Sequence, residues 1–172
     1  MTARAPTLLL VAFGVTAIGA SAVAEDTPRI IWNTTASAPT GLYALHRGDS
    51  LVPGDWIAVR PTASLAHWLD ARGYLPRGAL LIKRVAAVAP SEVCRSALDV
   101  RVDGAMVARA KLRDRRGASL PDWQGCHRLA LAELFLLNPA EGSLDSRYFG
   151  PVRRETVAGR VTRLRLIKDI RA

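Results

Sequence analysis

The sequence predicts a mostly β domain with one or two short helices, an N-terminal apolar helix and a cysteine-bracketed insert. Three observations carry this expectation. Short apolar runs, most of them alternating with polar residues, recur from Ile30 to Ile167 and are punctuated by Pro, Gly, Asn and Asp. One later stretch, Thr62 to Arg72, has clear helical spacing through Leu65, Trp68 and Leu69. Pro6 to Ala24 is a run of 19 residues without a charge.

That first run lies at the boundary between a secretory signal and a spanning helix. Arg4 precedes it and Glu25-Asp26 follow it, which orients the amino terminus toward the cytoplasm. Ala22-Val23-Ala24 supplies the small residues of a processing site. Residues 1–24 therefore read as a signal peptide or signal-anchor helix, and residues 25–172 as an exported domain. Ile30 to Trp32 reads as a strand and Asn33 to Gly41 as a loop constrained by Pro39. Leu42 to His46 reads as a strand ending at Arg47-Gly48-Asp49, Val52 to Asp55 as a turn, and Trp56 to Arg60 as another strand. Thr62 is placed to cap the helix and Gly73 lies just past its end. The next strand lies within Ala79 to Val88. Ala97 to Val102 and Ala105 to Ala110 read as a hairpin about Asp103-Gly104. Lys111 to Gly117 reads as a charged loop tip and Ser119 to Gly125 as irregular chain. His127 to Leu137 reads as one strand, Asn138 to Gly150 as a polar turn-rich segment, and Val157 to Ile167 as the last strand.

The net charge is +9, with a cluster at Arg153, Arg154, Arg160, Arg163, Arg165, Lys168 and Arg171. Such a balance suits nucleic acid or an anionic membrane surface. No aromatic-studded basic motif, zinc-ligand spacing or Gly-rich phosphate loop accompanies it, so neither nucleic acid nor a metal or other cofactor is expected. Cys94 and Cys126 are the two cysteines. In an oxidising compartment they are expected to pair rather than remain free thiols. The bond would close a loop of roughly 30 residues, worth about 3 kcal/mol in the chain-entropy model, and would bracket residues 91–127 as an inserted flap.

Two residues stand out chemically. Of 24 cations only Lys83, Lys111 and Lys168 are lysines, and Lys83 alone sits in an apolar strand. There Leu81, Lys83, Val85 and Ala87 share a face. Burial lowers a lysine's pKa toward neutrality, whereas a strand-end lysine would snorkel its amine to water. Ser37 lies in the Pro-constrained loop, and a serine becomes a nucleophile only when a base takes its proton. His46, His67 and His127 lack an acidic orienter at recognisable spacing, which disfavours a Ser-His-Asp arrangement.

Thr35-Ala36-Ser37-Ala38-Pro39-Thr40-Gly41-Leu42-Tyr43 resembles the nucleophile box of the signal peptidase I superfamily, in the spacing of its TraF-type conjugal-transfer branch. Leu81-Ile82-Lys83-Arg84-Val85 resembles the box that supplies the general base. Ser143 to Val152 resembles the closing S-x-D-S-R-Y-F-G box. The resemblance implies a signal-peptidase-like (LexA-like) β-fold with Ser37 as nucleophile and Lys83 as general base. The Ser37 N–H and Thr35 hydroxyl would stabilise the oxyanion, Ser143 would orient Lys83, and Asp145 with Arg147 would form a supporting ion pair. Ala38 stands where the leader peptidase branch has Met, and that branch carries one more residue before its proline. The implied activity is serine endopeptidase cleavage after small residues, at the periplasmic face of the inner membrane. The implied partner is an exported precursor, above all the pilin of a conjugative type IV secretion system, with cyclisation left open. A catalytically silent periplasmic assembly component and a basic membrane-surface binding protein are the competing expectations.

Overall fold

The computed structural model describes residues 4–23, 30–48 and 50–164. The Ala24–Glu25 junction, Asp49 and the end of the last expected strand, with Arg165, Lys168 and Arg171, lie outside the described residues. Helix α1 (Arg4–Val23) covers the apolar run. Among the described residues no helix is long and apolar enough to cross a membrane.

Two antiparallel sheets follow. The strands are β1 (Ile30–Asn33), β2 (Gly41–His46), β3 (Trp56–Val59), β4 (Leu81–Val88), β5 (Glu92–Ser96), β6 (Asp99–Val102), β7 (Ala105–Arg109), β8 (Gly125–Arg128), β9 (Glu133–Leu136), β10 (Val152–Arg153) and β11 (Val157–Arg163). Helix α2 (Ala63–Ala71) sits between β3 and β4, and α3 (Ser146–Phe149) precedes β10. The main sheet runs β1-β2-β11-β3-β4-β9-β10, and the insert forms a second sheet, β7-β6-β5-β8. The expected mostly β class is therefore the observed one.

Alternation builds the core on both sides of the main sheet. Ile57, Val59 and Val85 pack with Leu51, Leu134 and Leu136. The intervening Ala58 and Ile82 pack with Ala38, Tyr43 and Val161. A third cluster, Ala87, Val93, Val100, Leu129, Phe135 and Leu137, joins the main sheet to the insert. Gly159 lies where β11 shifts register against β3. A Cβ there would stand 2.6 Å from the His46 carbonyl oxygen, so the close strand approach requires glycine. Thr62 caps α2 by accepting from Leu65 N at 3.4 Å, as its position predicts.

One expectation changes, and two segments carry more than their local pattern announces. The expected single strand over His127–Leu137 is two, because β8 pairs with β5 in the insert whereas β9 pairs with β4 in the main sheet. A turn at Ala130–Glu133 switches sheets, with Glu133 Oε2 accepting from Ala130 N at 3.0 Å. Strand β5 had no clear apolar alternation because its inward face carries Val93 and Arg95, both buried. The turn from β5 to β6 passes through Ala97 at φ 53°, with no Gly or Asn to announce it. Residues 138–150, expected as a polar turn-rich segment, bury Asn138, Ser143, Asp145, Ser146 and Arg147 and hold the short helix α3.

Cys94 and Cys126 face each other across β5 and β8 and form the disulfide. The insert they staple is fastened to α3. Arg95 Nη1 donates to Arg147 O at 2.8 Å, and Trp123 Nε1 donates to Ser146 O at 3.0 Å. Tyr148 Oη accepts from Lys111 N at 3.2 Å.

Candidate active site

The loop between β1 and β2 is held by one side chain. Asn33 is buried at the end of β1, and its Nδ2 donates to the carbonyls of Thr35, Ala38 and Pro39 at 3.0–3.1 Å. Its Oδ1 accepts from Thr35 N at 3.1 Å and Thr35 Oγ1 at 2.8 Å. Tyr43 Oη donates to Pro39 O at 2.6 Å and closes the loop from β2. Ser37 is thereby presented half-buried, its Oγ 3.1 Å from Thr35 Oγ1. Because Thr35 spends its one hydroxyl proton on Asn33, Ser37 is the donor in that contact. Among the described residues nothing accepts from the Ser37 N–H, which leaves it open to a developing oxyanion.

Lys83 stands on β4 opposite Ile57. It is 3% exposed, so its amine does not snorkel to water. Its Nζ donates to Ser143 Oγ at 3.0 Å. Burial is the largest influence on the ammonium and lowers its pKa from 10.5 to about 8; Asp145 opposes that shift and Arg147 adds to it. Roughly a tenth of Lys83 is then neutral at pH 7, against roughly one part in three thousand for an ordinary lysine. Arg84, its neighbour, points outward and donates from Nε to Gly54 O at 3.2 Å.

The segment from Asn138 to Arg147 braces both elements. Asp145 and Arg147 form a buried pair, with Nε to Oδ1 at 2.8 Å and Nη2 to Oδ2 at 3.1 Å. Arg147 also donates to the carbonyls of Asn138 and Glu141, fixing the turn that carries Ser143. Asp145 caps α3 through Arg147 N and accepts from Asn138 N at 3.0 Å.

Asn138 is the residue that reading the sequence missed as a functional one. Its Nδ2 donates both to Ser37 O at 2.8 Å and to Ile82 O at 3.1 Å, and its Oδ1 accepts from Arg84 N at 2.9 Å. One amide thus links the Ser37 loop to the strand that carries Lys83. An Asn before a Pro signals a turn, and nothing in the local pattern reveals such long-range partners.

Ser37, Thr35 and Lys83 all line one cleft of about 1020 Å³. No hydrogen bond joins Ser37 Oγ to Lys83 Nζ; Ser37 Oγ meets Thr35 and Lys83 Nζ meets Ser143. A smaller, mainly apolar cavity of about 400 Å³, lined by Leu65, Trp68, Leu136 and Phe149, adjoins Lys83 from another side. None of the three histidines lines the cleft. His67 meets Arg77 at 2.8 Å, and His127 meets Glu133 at 2.6 Å on the insert side. Trp32 is exposed on edge strand β1 at the cleft wall, whereas Trp68 stacks on Tyr74 and Trp123 packs edge-on to Phe135.

Residues 3–165 match the family model for signal peptidase, peptidase S26. The chain is 33% identical over 137 residues to the plasmid transfer protein TraF of Escherichia coli, covering 73% of this chain and 76% of that one. It is 35% identical over 137 residues to a probable conjugal transfer protein TraF of Sinorhizobium fredii, covering 74% and 72%. Against a conjugal transfer protein TraF of Agrobacterium tumefaciens it is 36% identical over 132 residues, covering 70% and 73%. A solved signal peptidase I from Enterococcus faecalis aligns with a TM-score of 0.36 at 19% identity, covering 66% of this chain and 98% of that one. The family match along nearly the whole chain and the identity to these relatives agree: the chain belongs to the signal peptidase, peptidase S26, family, in its TraF-type branch.

Proposed function

We propose that the chain is a serine endopeptidase in which Ser37 is the nucleophile and Lys83 the general base. The observation that carries this reading is a buried lysine, its pKa lowered by burial to about 8, sharing a cleft with a half-buried serine on a fixed loop. Neutral Lys83 takes the Ser37 proton as Oγ attacks the scissile carbonyl. The ammonium so formed gives that proton to the departing amine, leaving an acyl-enzyme on Ser37. Lys83 then acts again as base toward water, and hydrolysis regenerates Ser37. The donation from Lys83 to Ser143 fixes the amine, so that its lone pair can turn toward the nucleophile. The Ser37 N–H meets the oxyanion, and Thr35 supplies the second donor by rotating its hydroxyl away from Asn33. Asp145 and Arg147 hold the support turn and take no part in proton transfer.

The substrate is an exported precursor cut after small residues, bound as an added strand at the β1 edge beside Ser37. The conjugal-transfer names of the relatives support the pilin of a conjugative type IV secretion system as that precursor. Attack on the acyl-enzyme by the precursor's own amino terminus would give a ring one water lighter than the linear product. Residues 1–24 serve as the export segment, with the peptidase domain and its 91–127 insert at the periplasmic face of the inner membrane.

Processing of precursor pilin is expected to fall at least about 1000-fold in Ser37→Ala, in Lys83→Met and in Lys83→Arg, since Arg cannot give up its proton. The wild-type rate is expected to rise with pH to a plateau above about 8, because the base works deprotonated. Normal maturation with any of the three changes would overturn the dyad and leave the silent assembly component as the better reading.

A further inference from the structure

Residues Lys111 to Gly117 carry four cations and one acid. The sequence suggests a charged loop tip; its residues are largely exposed, Arg115 included, and they lie along the cleft. Lys111, Arg113, Arg115 and Arg116 line the same cavity as Ser37 and Lys83. Asp114 is the one acid on that wall among the described residues, and the loop consumes it. Its Oδ2 accepts from Tyr74 Oη, and its Oδ1 accepts from Arg116 N and Ala118 N, both at 2.8 Å. Arg116 donates to Arg72 O at 3.0 Å, and Arg113 to Gly117 O at 2.7 Å. Lys111 meets Glu141 at 3.5 Å.

Arg115 is different. Among the described residues no hydrogen bond or ion pair engages its guanidinium. Its Nη2 lies 3.9 Å from where a Cβ on Gly142 would stand, one residue before the Ser143 that holds Lys83. An exposed, unengaged guanidinium thus reaches the turn that carries Ser143, the residue hydrogen-bonded to Lys83. Much of the rest of the cleft wall is apolar, with Ile31, Trp32, Leu75, Leu80 and Tyr148 among its residues. A planar guanidinium in such a place matches a carboxylate, which it can hold with two parallel hydrogen bonds.

We propose that Arg115, within this basic wall, reads a carboxylate on the polypeptide substrate near the scissile bond. The inference rests on the peptidase reading of the same cleft. The carboxylate comes either from an Asp or Glu side chain or from a free chain end close to the cut. The insert, bolted to α3, holds the wall in place, so its loop contributes to substrate choice while bond cleavage belongs to the main sheet.

The test uses the full chain and peptides spanning the cut, each with Glu, Gln or Lys at a single position, and with free or amidated carboxyl ends. One position is expected to give about fivefold lower KM for Glu than for Gln, diminished by high salt. Arg115→Ala should erase that ratio, and Arg115→Glu should reverse it toward Lys. If the free chain end is the ligand instead, amidation raises KM and the Glu, Gln and Lys peptides do not differ. Equal KM values for every peptide in wild type, with Ser37→Ala inactive, would overturn the carboxylate reading and leave the peptidase reading standing. Cleavage that persists in Ser37→Ala would overturn both. Thermal melting of each Arg115 variant checks that altered KM values belong to folded protein.

Discussion

Strand β4 of the main sheet and strand β5 of the insert each turn a cation inward, Lys83 at 3% exposure and Arg95 at 2%. Their surroundings differ in kind. Arg95 is surrounded by acceptors: Asp122 at 3.0 Å, the Arg147 carbonyl at 2.8 Å and the Ala97 carbonyl at 3.2 Å. Lys83 has one hydroxyl, Ser143, and a mainly apolar cavity beside it. Asp145, the carboxylate that favours the charged form of Lys83, is already held by the Arg147 guanidinium in two hydrogen bonds. Arg95 therefore acts as a bolt, while Lys83 is destabilised in its charged form, as the proposed base must be. Burial alone does not make a cation reactive. An arginine holds its proton wherever it is buried; for a lysine, burial with acceptors withheld is what lowers the pKa.

This contrast gives opposite signs for one kind of substitution. Arg95→Met strips donors from the buried Arg147 carbonyl and from Ala97, and is expected to cost about 3 kcal/mol. Lys83→Met removes a charge the fold holds unwillingly, and is expected to raise stability at pH 7 on the order of 2 kcal/mol. The Lys83 effect has a pH window. Below about pH 8 the folded and unfolded chains both carry the proton, and the full cost of burying it is present. Between about 8 and 10.5 the unfolded chain binds more protons than the folded one, so wild-type stability rises relative to Lys83→Met. Paired denaturant melts from pH 7 to 10.5 check this, and a gap that does not narrow would mean the amine is not destabilised by burial.

The same contrast explains what the sequence disclosed. Lys83 was visible because it breaks an apolar run in a chain that otherwise uses Arg, and Ser37 because Pro39 and Gly41 frame it. Arg95 was hidden, since an inward arginine spoils the alternation by which β5 would be recognised. Asn138 was hidden because its partners, Ser37 and Ile82, are brought to it only by the sheet. The role of Lys111–Gly117 was hidden because charge along a loop signals solvent, whereas its position depends on how the insert docks. Local pattern exposed groups whose neighbours in sequence are informative and missed those defined by contacts far along the chain.

The smallest expected effect asks whether the bolt and the base are coupled. Tyr148 is 2% exposed on α3, next to Arg147, and its Oη accepts from Lys111 N where the basic loop begins. Tyr148→Phe keeps the ring and its packing and removes that acceptor, at an expected cost of about 1 kcal/mol. If the insert governs substrate and the main sheet governs chemistry, the variant should raise KM by a few-fold. The apparent pKa of the base should stay near 8, because neither Ser143 nor the cavity beside Lys83 has changed. Peptide cleavage measured from pH 6 to 10 separates the two. A shifted pH profile with unchanged KM would show that the insert tunes Lys83 through α3, and the division of labour between the two sheets would have to be abandoned.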